Sequence, residues 1–327
     1  MEFVIRTESW ALREPFVIAR ETMLALPLVH LAISHAGFTG QAEAAGVDYR
    51  GETPDSMTAE IQSYLNQHDT PPSRTDLLRD MPAGGARNAI DCALWDWEAK
   101  SLGVGVASLA GFDDLKPLDT AYTLSIGAPH DMAKSALRAP KGALLKIKLG
   151  GKDGLDLDRV AAIRGAAPDR RLVVDVNQGW TREYLQQAIL VLAPLGIELI
   201  EQPLPVGEDG WLSHFSSPIP LCADESFDTL EDLTHIASLY SFINIKLDKS
   251  GGLTEALAIA KLAREKGLGL FIGSMLGTSL GMAPAFLVGQ LCDYVDLDGA
   301  LLLAEDRFSP MLYRGANIGP PGASLWG

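Results

Sequence analysis

Residues 172–203 hold one full repeat of the pattern that decides the fold. The run around Val174, ending Val174-Asp175-Val176-Asn177-Gln178, is strand-like, Arg182–Leu195 has helical spacing, and the run around Leu199, ending Ile200-Glu201-Gln202-Pro203, is strand-like again. Working outward, apolar runs of the same kind centre on Tyr122, Ile147, Val174, Leu199, Cys222, Ile245, Leu270 and Val295, 23 to 27 residues apart. Helical patterns fill most gaps, at Leu155–Ala167, Arg182–Leu195, Thr229–Leu239 and Thr254–Lys266, and the stretch after Gly277 is apolar enough for a buried helix. Strands alternating with helices at this period predict βα units on a parallel sheet. Eight strands with seven intervening helices suit a closed barrel better than an open doubly wound sheet, so a (β/α)7β barrel is expected over residues 116–300.

Residues 1–115 read differently. Phe3–Glu8, Leu28–Ser34 and Gln41–Ala45 look like strands of a small antiparallel sheet, and Ser56–Gln67 and Ala86–Leu102 like helices. In the second helix Ala89, Ala93, Leu94 and Trp97 fall at helical spacing. An α+β capping domain therefore precedes the barrel. The tail, about 301–327, has no clear period, contains Pro320-Pro321-Gly322, and is expected to pack back on that domain.

Of the 327 residues 47% are hydrophobic, enough for a large core, and 42 Asp+Glu against 27 Lys+Arg give a formal charge of −15. A surface that negative repels phosphate backbones, so no nucleic-acid partner is expected. Three distant cysteines, Cys92, Cys222 and Cys292, build no disulfide framework or zinc site. Glu2 stands where a signal peptide wants positive charge, and runs such as Ala188–Leu195 are too short to span a bilayer. A cytoplasmic protein with no membrane partner, forming a homo-oligomer, is the expectation.

In such barrels the active site lies at the C-terminal ends of the strands. Charged residues there are informative because they are costly to bury. Asp175, Glu201 and Asp224 end three consecutive strands, 26 and 23 residues apart. One strand-end acid more often caps a helix than binds an ion. Three converging carboxylates, however, repel one another unless a cation neutralises them, and oxygen-only ligation favours a hard ion, Mg²⁺. Lys148 on the second strand and Lys246 on the sixth should flank that ion. A lysine beside a divalent cation and another ammonium has its neutral form favoured and can act as a base. Lys146 falls on the same face as Lys148 at a different depth, and is expected to touch a substrate carboxylate. Two bases facing a metal-bound carboxylate imply removal of an α-proton to give an enediolate and return of a proton to the other face, a racemisation or epimerisation. The same groups would also support β-elimination or cycloisomerisation.

These segments resemble the enolase superfamily, in its muconate-lactonising subgroup: Lys146-Ile147-Lys148, Asp175-Val176-Asn177, Glu201-Gln202-Pro203, Ala223-Asp224-Glu225-Ser226, and the run from Asn244 to Gly252. Asp91-Cys92-Ala93-Leu94-Trp95-Asp96 in the cap also looks like the family, so the resemblance covers nearly the whole chain. It implies one Mg²⁺ held by Asp175, Glu201 and Asp224, an acid/base pair of Lys148 and Lys246, and supporting roles for Asn177, Glu225 and Asp248. Within the subgroup, Asp296-Leu297-Asp298 is similar to the eighth-strand signature of dipeptide epimerases. Two carboxylates on one strand face can bind the free ammonium of a dipeptide. The resemblance extends to epimerases of L-Ala-D/L-Glu, a dipeptide of murein recycling, in which an arginine of the N-terminal lid binds the glutamate side chain. Arg20 stands at the matching position, and the segments around Arg20 and Val47–Ser56 are expected to form the lid.

N-succinyl amino acid racemases, o-succinylbenzoate synthases and muconate cycloisomerases of the same subgroup are the nearest alternatives, and their substrates lack the ammonium that the Asp pair would bind. No His follows the seventh strand and no His-x-His occurs on the first, against a mandelate-racemase-type base and a di-metal hydrolase. A Schiff-base aldolase using Lys246 would leave the three carboxylates without a role, and a non-catalytic binding barrel would leave both lysines without one. Gly277 is expected to widen the pocket for the substrate side chain.

Overall fold

The computed structural model describes residues 1–18 and 22–327. Its core is an eight-stranded parallel sheet of Tyr122–Leu124, Leu145–Lys148, Leu172–Asp175, Ile197–Glu201, Leu221–Ala223, Phe242–Ile245, Gly269–Ile272 and Tyr294–Val295, each bonded to the next in chain order. The Ala121 amide donates to the Val295 carbonyl at 2.7 Å, so the first and eighth strands meet and the sheet closes. Helices Pro129–Arg138, Asp156–Ala166, Arg182–Leu192, Leu253–Glu265 and Ser279–Gly289 surround it. The expected barrel is the observed one. The helix expected over Thr229–Leu239 shrinks to Leu233–Ile236, because the Asp232 carboxylate receives the amides of Asp228 and Thr229 and holds that stretch as a turn.

Ala121, Leu144, Val173, Leu199, Cys222 and Phe271 pack together as an apolar layer within the sheet, with Phe242 and Tyr294 against them. Lys146 Nζ lies 5.1 Å from the centre of the Phe271 ring, so the polar layer begins directly on this apolar one.

The cap is a three-stranded antiparallel sheet. Its first two strands, Glu2–Val17 and Thr22–His35, are far longer than the short runs read from sequence, and a bulge between Ala11 and Phe16 bends the hairpin before it reaches the barrel mouth. Phe38–Ala44 completes the sheet. Gly40 lets this strand lie directly on helix Gly85–Leu102, since a Cβ there would stand 2.1 Å from the Ala93 carbonyl oxygen.

The same helix carries the contact with the barrel. Arg87 donates to the carbonyls of Gly251 and Ser250 and pairs with Glu255. Asp91 accepts the amide and hydroxyl of Thr254 at 2.9 and 2.6 Å. The tail forms a two-stranded turn, Tyr313–Arg314 with Asn317–Ile318, against Leu118–Asp119. It ends on the cap helix, where Trp326 Nε1 donates to the Cys92 carbonyl. No helix among the described residues is long and apolar enough to cross a membrane.

Candidate active site

The strand register builds the site. Lys148 pairs with Asp175, and Asp175 with Glu201, so three charged side chains occupy neighbouring rungs. Asp224 follows two residues after Cys222, the partner of Glu201 on the fifth strand. One oxygen of each of Asp175, Glu201 and Asp224 lies within 4.8 Å of the others, and all three residues are buried. The backbone just past these carboxylates is strained: Asn177, Gln178 and Gln202 have φ of +46°, +68° and +34°. Non-glycine residues seldom adopt this region, and such strain gathers at functional sites. Gln202 then spans two strand ends, its Oε1 receiving the amides of Asp224 and Ser226.

Each carboxylate has one oxygen fixed from behind. The Asn177 amide donates to Asp175 Oδ1 at 3.0 Å, Asn244 Nδ2 to Glu201 Oε1 at 2.7 Å, and Lys249 Nζ to Asp224 Oδ1 at 2.6 Å. The other oxygens face ammonium groups: Lys148 Nζ is 2.6 Å from Asp175 Oδ2, Lys246 Nζ is 2.7 Å from Asp224 Oδ2, and Lys146 Nζ is 2.8 Å from Glu201 Oε2. Three oxygens presented singly match an octahedral hard cation with positions left for substrate and water. On this observation the residues fit Mg²⁺.

The electrostatics agree. Burial and the neighbouring Asp175 push Glu201 up to about 8. Burial also pushes on Asp175 and Asp224, but Lys148 and Lys146 hold the first below the usual carboxylate range, and Lys246 and Lys249 hold the second well below it. For Lys246, burial pulls downward and is outweighed by Asp224, so its proton is held tightly.

Lys146 sits at the bottom of the site. It is 1% exposed, and besides Glu201 it reaches Asp296 Oδ2 at 2.8 Å and Asp175 Oδ2 at 3.3 Å. It thus joins the carboxylate triad to the eighth-strand pair. That strand stops at Val295, and both aspartates lie beyond it. Asp298 Oδ2 accepts the Thr123 amide at 2.7 Å, and burial with the adjacent Asp296 pushes Asp298 up to about 7. Asp296 Oδ1 is buried and has no hydrogen-bond partner among the described residues.

A cavity of about 250 Å³ joins these groups. Lys146, Lys148, Asn177, Asp224, Lys246, Asp296 and Asp298 form its polar floor, and cap residues Phe16, Ile18, Met23, Leu26 and Tyr49 its roof. Arg20 lies outside the described residues, between Ile18 and Met23 in sequence. The second expected lid segment is docked: Asp248 receives the Gly46 amide at 3.0 Å, and Arg50 pairs with Asp228. Asp248 therefore ties cap to barrel. Asn177 receives Lys148 at 3.4 Å and donates to Glu225 at 3.3 Å.

Gly277 does not widen the pocket. A Cβ there would meet Met282 Cε at 2.9 Å and Glu43 Oε1 at 3.2 Å, behind the wall that Ser274, Met275 and Leu276 present to the cavity. Sequence reasoning assigned no role to Asn244, Gln202 or Lys249. Asn244 had a signal, since it precedes Lys246 by two residues and shares its strand face.

Comparison with known proteins agrees with this geometry. Residues 131–301 match the family described as enolase C-terminal domain-like, and residues 1–111 the N-terminal domain of mandelate racemase and muconate lactonizing enzyme. The chain is 41% identical over 301 residues to the L-Ala-D/L-Glu epimerase of Escherichia coli (strain K12), covering 91% of this chain and 93% of that one. It is 38% identical over 302 residues to an N-acetyl-D-glutamate racemase of a Pseudoalteromonas species, covering 92% and 95%. Among solved structures, an enolase family member from Agrobacterium tumefaciens with homology to dipeptide epimerases superposes with a TM-score of 0.96 at 42% identity, covering 99% of both chains. That structure carries sodium and L-Ala-L-Glu and has an ordered loop. With both domains matched along nearly its whole length, the chain belongs to the enolase superfamily, in its mandelate racemase and muconate lactonizing enzyme branch, and is an isomerase of the racemase and epimerase type.

Proposed function

We propose that the protein epimerises dipeptides bearing a free N-terminal amine, with L-Ala-L-Glu and L-Ala-D-Glu from murein peptides as its substrates. The observation that carries this reading is Asp296 Oδ1, buried on a residue that lines the cavity and without a hydrogen-bond partner among the described residues. An unpaired carboxylate oxygen in such a place is costly, and a substrate ammonium satisfies it. Asp298, 4% exposed and two residues on, supplies a second acceptor.

Asp175, Glu201 and Asp224 would hold one Mg²⁺. Such an ion supplies positive charge that draws electron density from the substrate carboxylate, acidifying the α-carbon, and from Asp224, loosening its pull on the Lys246 proton. The remaining work falls to the chain. Asp296 and Asp298 fix the amino end of the dipeptide, and the apolar cap residues over the cavity exclude water. Lys148 on the second strand and Lys246 just past the end of the sixth address opposite faces of the α-carbon. One lysine removes the proton, and the ammonium of the other returns one to the opposite face. Arg20, outside the described residues, is proposed to meet the glutamyl carboxylate.

A second reading, racemisation of N-acetylglutamate, is favoured by the similar Pseudoalteromonas enzyme. An acetyl group brings no cation to the Asp pair. Comparing kcat/KM for L-Ala-L-Glu, N-acetyl-L-Ala-L-Glu and N-acetyl-D-glutamate separates the two. Loss of one partner of a buried charge pair costs roughly 2–5 kcal/mol, so acetylation should lower kcat/KM about 30-fold or more. Equal values for free and acetylated dipeptides would remove the ammonium role, and preference for N-acetyl-D-glutamate would assign the second reading.

A further inference from the structure

Lys249 has no part in the reaction outlined above, yet it is only 1% exposed. It stands on the four-residue helix Leu247–Ser250, which follows the sixth strand and folds the side chain back across the strand end. Its three ammonium protons have three oxygen acceptors: the Asp224 carbonyl at 2.5 Å, Asp224 Oδ1 at 2.6 Å and the Asn244 carbonyl at 3.1 Å. A lysine with every donor engaged in this way is a fixed strut between the fifth and sixth strand ends.

Among the described residues, Asp224 alone of the three carboxylates has an ammonium group on each oxygen. Its Oδ1 meets Lys249 while its Oδ2 meets Lys246 at 2.7 Å. The corresponding donors behind Asp175 and Glu201 are a neutral backbone amide and a neutral carboxamide. Only at Asp224 is the oxygen that faces away from the centre held by a full positive charge, and charge-assisted bonds are the strong ones.

We propose that Lys249 is a positioning residue: it fixes the Asp224 carboxylate so that Oδ2 alone faces the centre of the triad and Lys246. The inference rests on the reading of the triad as a cation site. A carboxylate free to turn can offer a divalent ion both oxygens, occupying a position the substrate requires. With Oδ1 and the main-chain carbonyl both held by Lys249, that rotation is blocked. The same constraint sets the place of the Lys246 ammonium, which rests on Oδ2. Removing the strut therefore disturbs cation binding and the placement of Lys246 together, while Asp296 and Asp298 at the other side of the cavity are untouched. Partners behind a metal ligand typically contribute about 10- to 100-fold in affinity.

The test is a crystal structure of the wild-type chain with Mg²⁺, joined to calorimetric Mg²⁺ titration of wild type and Lys249→Met, which keeps much of the stem and removes the donors. The expected structure has the ion on Asp224 Oδ2 and Lys249 Nζ retained on Oδ1. The expected titration shows binding at least tenfold weaker in Lys249→Met, with kcat reduced and the dipeptide KM near wild type at saturating Mg²⁺. General destabilisation would not produce that split. An ion bound through Oδ1 or both oxygens of Asp224 would overturn the role of Lys249 and leave the cation site standing, as would equal Mg²⁺ affinity in the two proteins. Absence of an ion from the triad would overturn the cation reading and this inference with it. If Lys249→Met does not fold, the wild-type geometry decides alone.

Discussion

Lys148 Nζ stands 2.6 Å from Asp175 Oδ2, and the sheet pairs the two residues on one rung of adjacent strands. Lys246 makes the equivalent contact with Asp224 across the barrel. Each proposed base thus rests on a proposed cation ligand. The arrangement predicts that Lys148→Ala and Lys246→Ala each lower net epimerisation by about 10²- to 10⁴-fold, the range for loss of a general acid or base. Each variant should still exchange the α-proton of one epimer only, read by mass spectrometry in D₂O. Wild-type epimerisation by either variant would contradict the two-base arrangement.

Cation removal gives the second prediction. EDTA followed by exhaustive dialysis should abolish turnover, and Mg²⁺ should restore it. Because an ion that binds only the folded chain stabilises it, Mg²⁺ at about 100 times its Kd should add roughly 2.7 kcal/mol to the unfolding free energy. Asp224→Asn should lose most of that increment. Full activity in rigorously stripped protein would contradict the assignment.

A pH effect is expected away from the active site. Burial raises Asp91 from 3.8 to about 6, despite its bonds from Thr254. Between those values the folded chain keeps a proton that the unfolded chain has released. The contribution is therefore fully present below pH 3.8 and lost as pH rises through about 6. Two pKa units correspond to roughly 3 kcal/mol. The stability of wild type relative to Asp91→Asn should fall by up to that amount between pH 4 and 7, then stay level. A pH-independent difference would contradict the account.

The pocket wall gives the fourth prediction. Gly277→Ala forces its new methyl against Met282 and Glu43 and should lower Tm by several degrees while leaving the order of preferred dipeptides unchanged. Leu276→Ala, on the cavity side, should raise kcat/KM for dipeptides with bulkier side chains relative to L-Ala-L-Glu. A changed preference in Gly277→Ala with unaltered Tm would reverse this picture.

Much of the architecture is legible in the chain because its signal is periodic. Parallel strands buried on both faces read as apolar runs, and the charges at Lys148, Asp175, Glu201 and Asp224 stand out against them. The long cap hairpin is less legible. The outer part of its first strand, from Arg13 to Pro15, is exposed throughout and shows no alternation of buried and exposed residues. Lys249 is hidden for a different reason. A single helical turn after the sixth strand rotates it back toward Asp224, and neither a strand nor a helix period predicts that direction. The ion pairs of Lys146 were equally out of reach, since alternation gives its face but not the carboxylates that gather around it.

The most direct test of the central claim is ¹H NMR of L-Ala-L-Glu incubated with the Mg²⁺-supplemented enzyme in D₂O. The account predicts that the glutamyl α-proton signal disappears, that L-Ala-D-Glu accumulates with deuterium at that carbon, and that the alanyl α-proton persists. Retention of the glutamyl α-proton with no second epimer, under conditions where N-acetylglutamate is racemised, would contradict it.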